Sequence, residues 1–74
     1  MNIYIIKVNT KITYDCYDSH VIVANTPKEV VELAQKVSAD EGMDAWEENY
    51  VRSIGQYEGD LTTPHIIISS FNAG

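Results

Sequence analysis

The chain has 74 residues, 45% of them hydrophobic, and sets eleven Asp and Glu against five Lys and Arg for a net charge of −6. That length makes one domain over 1–74 and leaves no room for a second core. The acidic balance disfavours direct nucleic-acid binding and an anionic membrane surface, both of which need clustered Lys and Arg; it serves solubility, and it equally suits docking into a basic groove on another protein.

Ile3-Tyr4-Ile5-Ile6-Lys7-Val8 is apolar on both faces for most of its length, as expected of a strand inside a sheet rather than at its edge. Residues 9–19 are polar and turn-like. His20-Val21-Ile22-Val23-Ala24 predicts a second strand, rich in β-branched residues. Thr26-Pro27-Lys28-Glu29 reads as a capping box with proline at the first helical position. Val30, Leu33, Ala34 and Val37 then follow at i, i+3, i+4, i+7, and Val31 widens that stripe. Glu32 and Lys36 make a favourable i, i+4 pair on the wet side. The spacing predicts a helix over about 27–40, stopped by Gly42.

Residues 43–49 fit either a further helical turn or a loop. Residues 50–57 predict a third strand, with Gly55 marking a bulge. Glu58-Gly59-Asp60 is a turn, and residues 65–70, with three consecutive isoleucines, predict a buried fourth strand. The short connection between the last two strands reads as a loose hairpin. The order ββαββ gives a two-layer α+β domain, one helix packed on a four-stranded, mainly antiparallel sheet. The second face of the sheet keeps some of Ile3, Ile5, Ile67 and the tyrosines. It is expected to be partly apolar and to pair with another copy or a partner.

No apolar run approaches the ~20 residues that cross a bilayer. Met1-Asn2-Ile3-Tyr4 has neither the basic region nor the small-residue cleavage site of a signal peptide. Cys16 is the single cysteine, so an intrachain disulfide and a four-cysteine zinc site are ruled out. The cytoplasm is the expected compartment.

Three stretches are candidate sites. In Tyr14-Asp15-Cys16-Tyr17-Asp18-Ser19-His20, two Tyr-Asp pairs stand three residues apart. Carboxylate, phenol and hydroxyl groups in one loop can bind a sugar or nucleobase edge, with a ring as stacking surface. The plainer alternative has Asp15 and Asp18 in Asx turns and the tyrosines over the core edge. Cys16 as a nucleophile needs a base such as His20 or His65, and no Cys-His signature surrounds it. Asp15, Asp18, His20 and His65 are metal-ligand types at a spacing that matches no standard motif. No catalytic residue, metal ligand or cofactor site is assigned.

The second stretch is Asp40, Glu41, Asp44, Glu47 and Glu48 around Trp46. It is either a tryptophan anchor ringed by carboxylates, fit for protein docking, or a tryptophan folded back to close the core. The third is Phe71-Asn72-Ala73-Gly74, either an ordered lip beside a pocket or a frayed polar end. The length, element order and final glycine also fit a ubiquitin-like modifier, but Ala-Gly stands where Gly-Gly would be needed. No phosphate-binding glycine loop and no paired carboxylates for glycoside chemistry are present.

The stretches YDCYDSHVIVANTPKEVVELA, VRSIGQY and IIISSFNAG resemble a group of small, mostly uncharacterised proteins of bacteriophages and prophages. Those share a Tyr-Asp-rich turn, a strand, a capped helix, an Ile-Gly strand and an end close to Ser-Phe-Asn-Ala-Gly. The resemblance covers most of the chain except residues 43–49, and it brings no catalytic residue with it. It implies a soluble accessory protein in the host cytoplasm.

Two functions are then expected. The first is a non-enzymatic protein that binds and modulates or inhibits a host or phage protein, an anti-defence role included, using the Trp46 patch. The second is a protein that sequesters a nucleotide-like signal at the interface of a homodimer or higher homo-oligomer. That site would use Tyr14, Asp15, Tyr17 and Asp18 with Phe71 and Asn72. Lys7, Lys11 and Arg52 are the cations in reach of it.

Overall fold

β1 (Asn2–Lys7) and β2 (Cys16–Ala24) pair antiparallel, from Asn2 opposite Ala24 to Lys7 opposite Ser19. This and all that follows comes from a computed structural model that describes residues 1–10 and 14–72. Lys11, Ala73 and Gly74, named above as a cation in reach and as part of the tail, lie outside the described residues. β3 (Val51–Gln56) flanks β1 and β4 (His65–Asn72) flanks β2, both antiparallel, so the sheet runs β3-β1-β2-β4. α1 (Pro27–Lys36) packs on one face. The fold is the α+β two-layer ββαββ arrangement expected, with β1 inside the sheet. No helix among the described residues is long and apolar enough to cross a membrane.

The start of α1 follows its sequence closely. Thr26 Oγ1 accepts from the Glu29 amide at 3.2 Å, and Glu29 Oε1 accepts from the amides of Thr26 at 3.2 Å and Asn25 at 2.7 Å. Three backbone donors at the start of the helix, one in its first turn, one at the N-cap and one just before it, are thereby satisfied. Val30 and Ala34 are fully buried against Tyr4, Ile6, Ile22 and Ala24 of the sheet. The helix stops earlier than its apolar spacing predicts: Val37 is its C-cap and is exposed. Gly42 is not its stop. It stands at φ +79°, ψ 164°, a region open essentially to glycine alone, and turns the chain into a short 3-10 turn at Met43–Ala45.

Two expectations about the last strands fail. β3 and β4 do not form a hairpin. They lie at opposite edges, so residues 57–64 cross the ends of β1 and β2, a span of roughly 14 Å at about 4.8 Å per strand. β4 is also not a buried strand. Of its residues only Ile66 escapes exposure, because β4 has one neighbour and the single helix covers the middle of the sheet. β2 begins at Cys16, within the stretch expected to be turn, and β4 continues through Phe71 and Asn72.

Three residues drop out of register. Ile3 faces Gly55 while Tyr4 faces Ser53, which leaves Ile54 bulged beside the glycine that signalled it. Tyr17 faces Phe71 while Ser19 faces Ser70, and Val21 faces Ile68 while Ile22 faces Ile66, so Asp18 and Ile67 are bulged too. A bulge re-aims side chains and sharpens the local twist.

Candidate functional site

Side chains alternate across a strand, so the register divides the sheet into two surfaces. Tyr4, Ile6, Ile22 and Ile66 face α1. The other surface carries the row Arg52–Ile5–Val21–Ile68, apolar after its first member, and beside it Gly55–Ile3–Val23–His65, where Val23 is fully buried and Ile3, Ile5 and Val21 are half-buried. Ile68 is 62% exposed and the bulged Ile54 is 56% exposed. Ile5, Lys7, Tyr50, Arg52 and Ile54 line a groove of about 420 Å³ on this surface. Its floor is apolar and its walls hold two of the chain's five cations.

The structure brings together two stretches that are far apart in sequence. Cys16 pairs with Asn72 and Tyr17 with Phe71, and the Asp15 amide donates to the Asn72 carbonyl at 2.7 Å. The Tyr17 and Phe71 rings meet edge to face with centroids 4.7 Å apart. Asp15 holds φ +58°, a left-handed conformation that Asp tolerates better than most residues. The Ser19 hydroxyl donates to Asp18 Oδ1 at 2.9 Å. Lys7, Thr10, Asp18 and Ser19 line one shallow hollow, and Ser19, Val21, Ile68 and Ser70 help line the next. Tyr17 and Asp18 are therefore strand residues, not turn residues, while Tyr14 stays in the turn and is exposed.

Trp46 is not a surface anchor. It is 2% exposed, because the segment after α1 folds back over the sheet and seats the indole in the core. Glu41 fastens this segment: its carboxylate accepts from the Trp46 indole N–H at 3.1 Å, from the Ala39 amide at 3.0 Å and from the Tyr17 amide at 3.0 Å. Asn9 ties down the far end, donating from Nδ2 to Glu47 Oε2 at 2.6 Å and to the Asp44 carbonyl at 3.0 Å. Two members of the expected acidic patch are thus structural ties.

His20 is the residue that sequence reasoning valued least for what it does. It is buried between Tyr17 and Trp46, with ring centroids at 4.9 and 4.8 Å. Its Nδ1 lies 2.6 Å from Ser69 Oγ, and its Nε2 has no hydrogen-bond partner among the described residues. Burial lowers its pKa below 6.5, against the opposing pull of the Glu41 and Asp18 carboxylates. His20 points toward the helix layer, whereas His65 sits on the opposite surface of the sheet opposite Val23. Among the described residues no three His, Cys, Asp or Glu side chains are placed to hold a metal. Cys16 is buried, with Sγ 3.4 Å from the Tyr14 carbonyl oxygen, as a core cysteine commonly is.

No family model, curated protein or solved structure matches the chain. Its function is therefore argued from its own surface.

Proposed function

We propose that the protein is a small non-enzymatic binding protein of the phage accessory type, which docks on a host or phage protein and modulates it. The observation that carries this reading is the exposed apolar part of the sheet surface turned away from α1. Ile54 and Ile68 are more than half exposed there and Arg52 is exposed, with Ile5 and Val21 half-buried between them. Contiguous exposed apolar surface rimmed by polar groups marks interaction sites. Arg52 and Lys7 at its rim suit a partner with carboxylates around an apolar patch. The docking surface is thus moved from Trp46, where the sequence reading put it, to the opposite side of the sheet.

The test compares three tagged variants with the unaltered chain in capture from infected host cells. Ile54→Glu and Arg52→Glu should lose the partner that the unaltered chain retains, and Glu32→Lys on the solvent side of α1 should keep it. Equal capture by all three would remove this surface from binding.

A second reading, a protein that sequesters a small nucleotide-like ligand, has its own support. Lys7, Asp18, Ser19 and Ser70 offer one cation and three hydrogen-bonding groups at the corner where β2 and the end of β4 meet. Ser19→Ala with Ser70→Ala would abolish such binding and leave protein capture intact.

A further inference from the structure

We infer that two copies of this chain associate through the outer edge of β4, pairing β4 with β4 antiparallel to form one continuous eight-stranded sheet. The two edges of the sheet are built differently. Each edge strand has one bulge, at Ile54 in β3 and Ile67 in β4, but β3 also carries charges that oppose pairing: a cation at Arg52, and carboxylates on either side at Glu47, Glu48, Glu58 and Asp60. β4 has none of those charges. Residues 61–74 contain no Asp, Glu, Lys or Arg, so every carboxylate behind the net charge of −6 lies before Leu61.

Charge selects the occupant. Two copies that each carry −6 repel wherever their carboxylates meet. At the β4 edge they approach along His65-Ile66-Ile67-Ile68-Ser69-Ser70-Phe71-Asn72, which is formally uncharged. A second copy presents the same neutral strip. Antiparallel pairing of one strand with itself is isologous, so the contact closes as a dimer and does not propagate.

The exposed apolar residues cluster there as well. Ile67 is 53% exposed and Ile68 62%, and Phe71 is exposed beside them. The strand is roughly 27 Å long, and among the described residues no strand lies along its outer side from His65 to Phe71, so the outward backbone groups there are a template for another strand. Pairing would satisfy those groups and cover Ile67 together. It would also join the two sheet surfaces that face away from α1. Ile68 belongs to both surfaces, but Ile5 and Ile54 lie toward the β3 edge, so association through β4 and docking there can be tested separately.

The test is native mass spectrometry and sedimentation velocity on the full chain over a concentration series. The expected species is a dimer, twice the 8.3 kDa chain, that dissociates on dilution. Ile67→Glu and Ile67→Lys should each weaken association by roughly tenfold or more, since like charges facing across a strand pair are destabilising. Mixing those two variants should restore a heterodimer, and Ile54→Glu at the other edge should leave association unchanged. A monomer at every concentration overturns the inference, as does a dimer broken by Ile54→Glu but not by the Ile67 variants. Amide hydrogen exchange on the unaltered chain answers even where a variant fails to fold. β4 amides should exchange more slowly at high protein concentration, and β3 amides should not change. β4 exchange that is independent of concentration, or that slows only when a different protein is added, overturns it in favour of a monomer or of strand addition by a foreign partner.

Discussion

The Trp46 indole packs against the His20 imidazole, ring centroids 4.8 Å apart and planes tilted by 42°. Tyr17 lies on the other side of the imidazole, and Phe71 on the far side of Tyr17. This chain of four rings runs from the core out to the edge strand. It links the segment after α1 to β2 and β4, and it makes Trp46 a structural residue. Trp46→Ala should cost about 3–5 kcal/mol, a large part of the roughly 5–15 kcal/mol that holds a small domain folded. Denaturant melts followed by circular dichroism should find the variant's midpoint strongly lowered. A folded variant with an unchanged midpoint would contradict this placement.

His20 ties stability to pH. Its folded pKa is lowered below 6.5 by burial, so the folded chain prefers the neutral ring and the unfolded chain takes up the proton first. The stability it contributes is complete above its unfolded pKa of about 6.5 and is lost as the pH falls from there through the folded value. Thermal midpoints should drop as the pH falls below about 7. In His20→Gln that part of the slope should vanish. A midpoint that rises on acidification would contradict the sign.

Glu41 holds three donors with one carboxylate. Glu41→Ala leaves the Trp46 indole N–H, a strand amide and a loop amide without that acceptor, a loss of about 1–3 kcal/mol. Glu41→Gln keeps one acceptor oxygen and should lose less. Denaturant midpoints order the three proteins, and tryptophan fluorescence reports the indole directly.

Gly42 stands where a side chain is strained by the backbone alone, since no heavy atom lies within 4 Å of an added Cβ. Gly42→Ala should therefore destabilise by about 1–3 kcal/mol through conformation, not collision. A neutral effect on the melting curve would show that the segment can turn another way.

Phe71 closes the ring chain at the edge. Phe71→Ala removes the edge-to-face contact with Tyr17, worth about 0.5–1.5 kcal/mol beyond burial. Truncation before Phe71 also removes the Asp15–Asn72 backbone bond and should destabilise further. Phe71 and Asn72 are part of β4, so their deletion cannot be a clean test of ligand binding. The substitutions at Ser19 and Ser70 serve that purpose better.

What was legible in the sequence is what local chemistry decides. The capping box at Thr26 to Glu29 and the stripe Val30, Ala34 fixed the helix and its buried face, and the two-sided apolarity of residues 3–8 placed β1 inside the sheet. The edge position of β4 was not legible. Three consecutive isoleucines look the same whether the strand is central or merely bulged, as Ile67 is, at an exposed edge. Trp46 could be read as anchor or core until Glu41 was seen to hold its N–H. The meeting of Asp15 and Tyr17 with Phe71 and Asn72 depends on the crossing of residues 57–64, which no local signal encodes.

The proposed binding surface is the side of the sheet turned away from α1. Hydroxyl-radical footprinting of the protein, free and then bound to its captured partner, tests it most directly. The account predicts that Ile5, Tyr50 and Ile54 become protected on binding, while Met43 and Val37, exposed on the helix side, react as before. Protection of Met43 and Val37 with Ile54 unchanged would place the partner on the helix layer and contradict it.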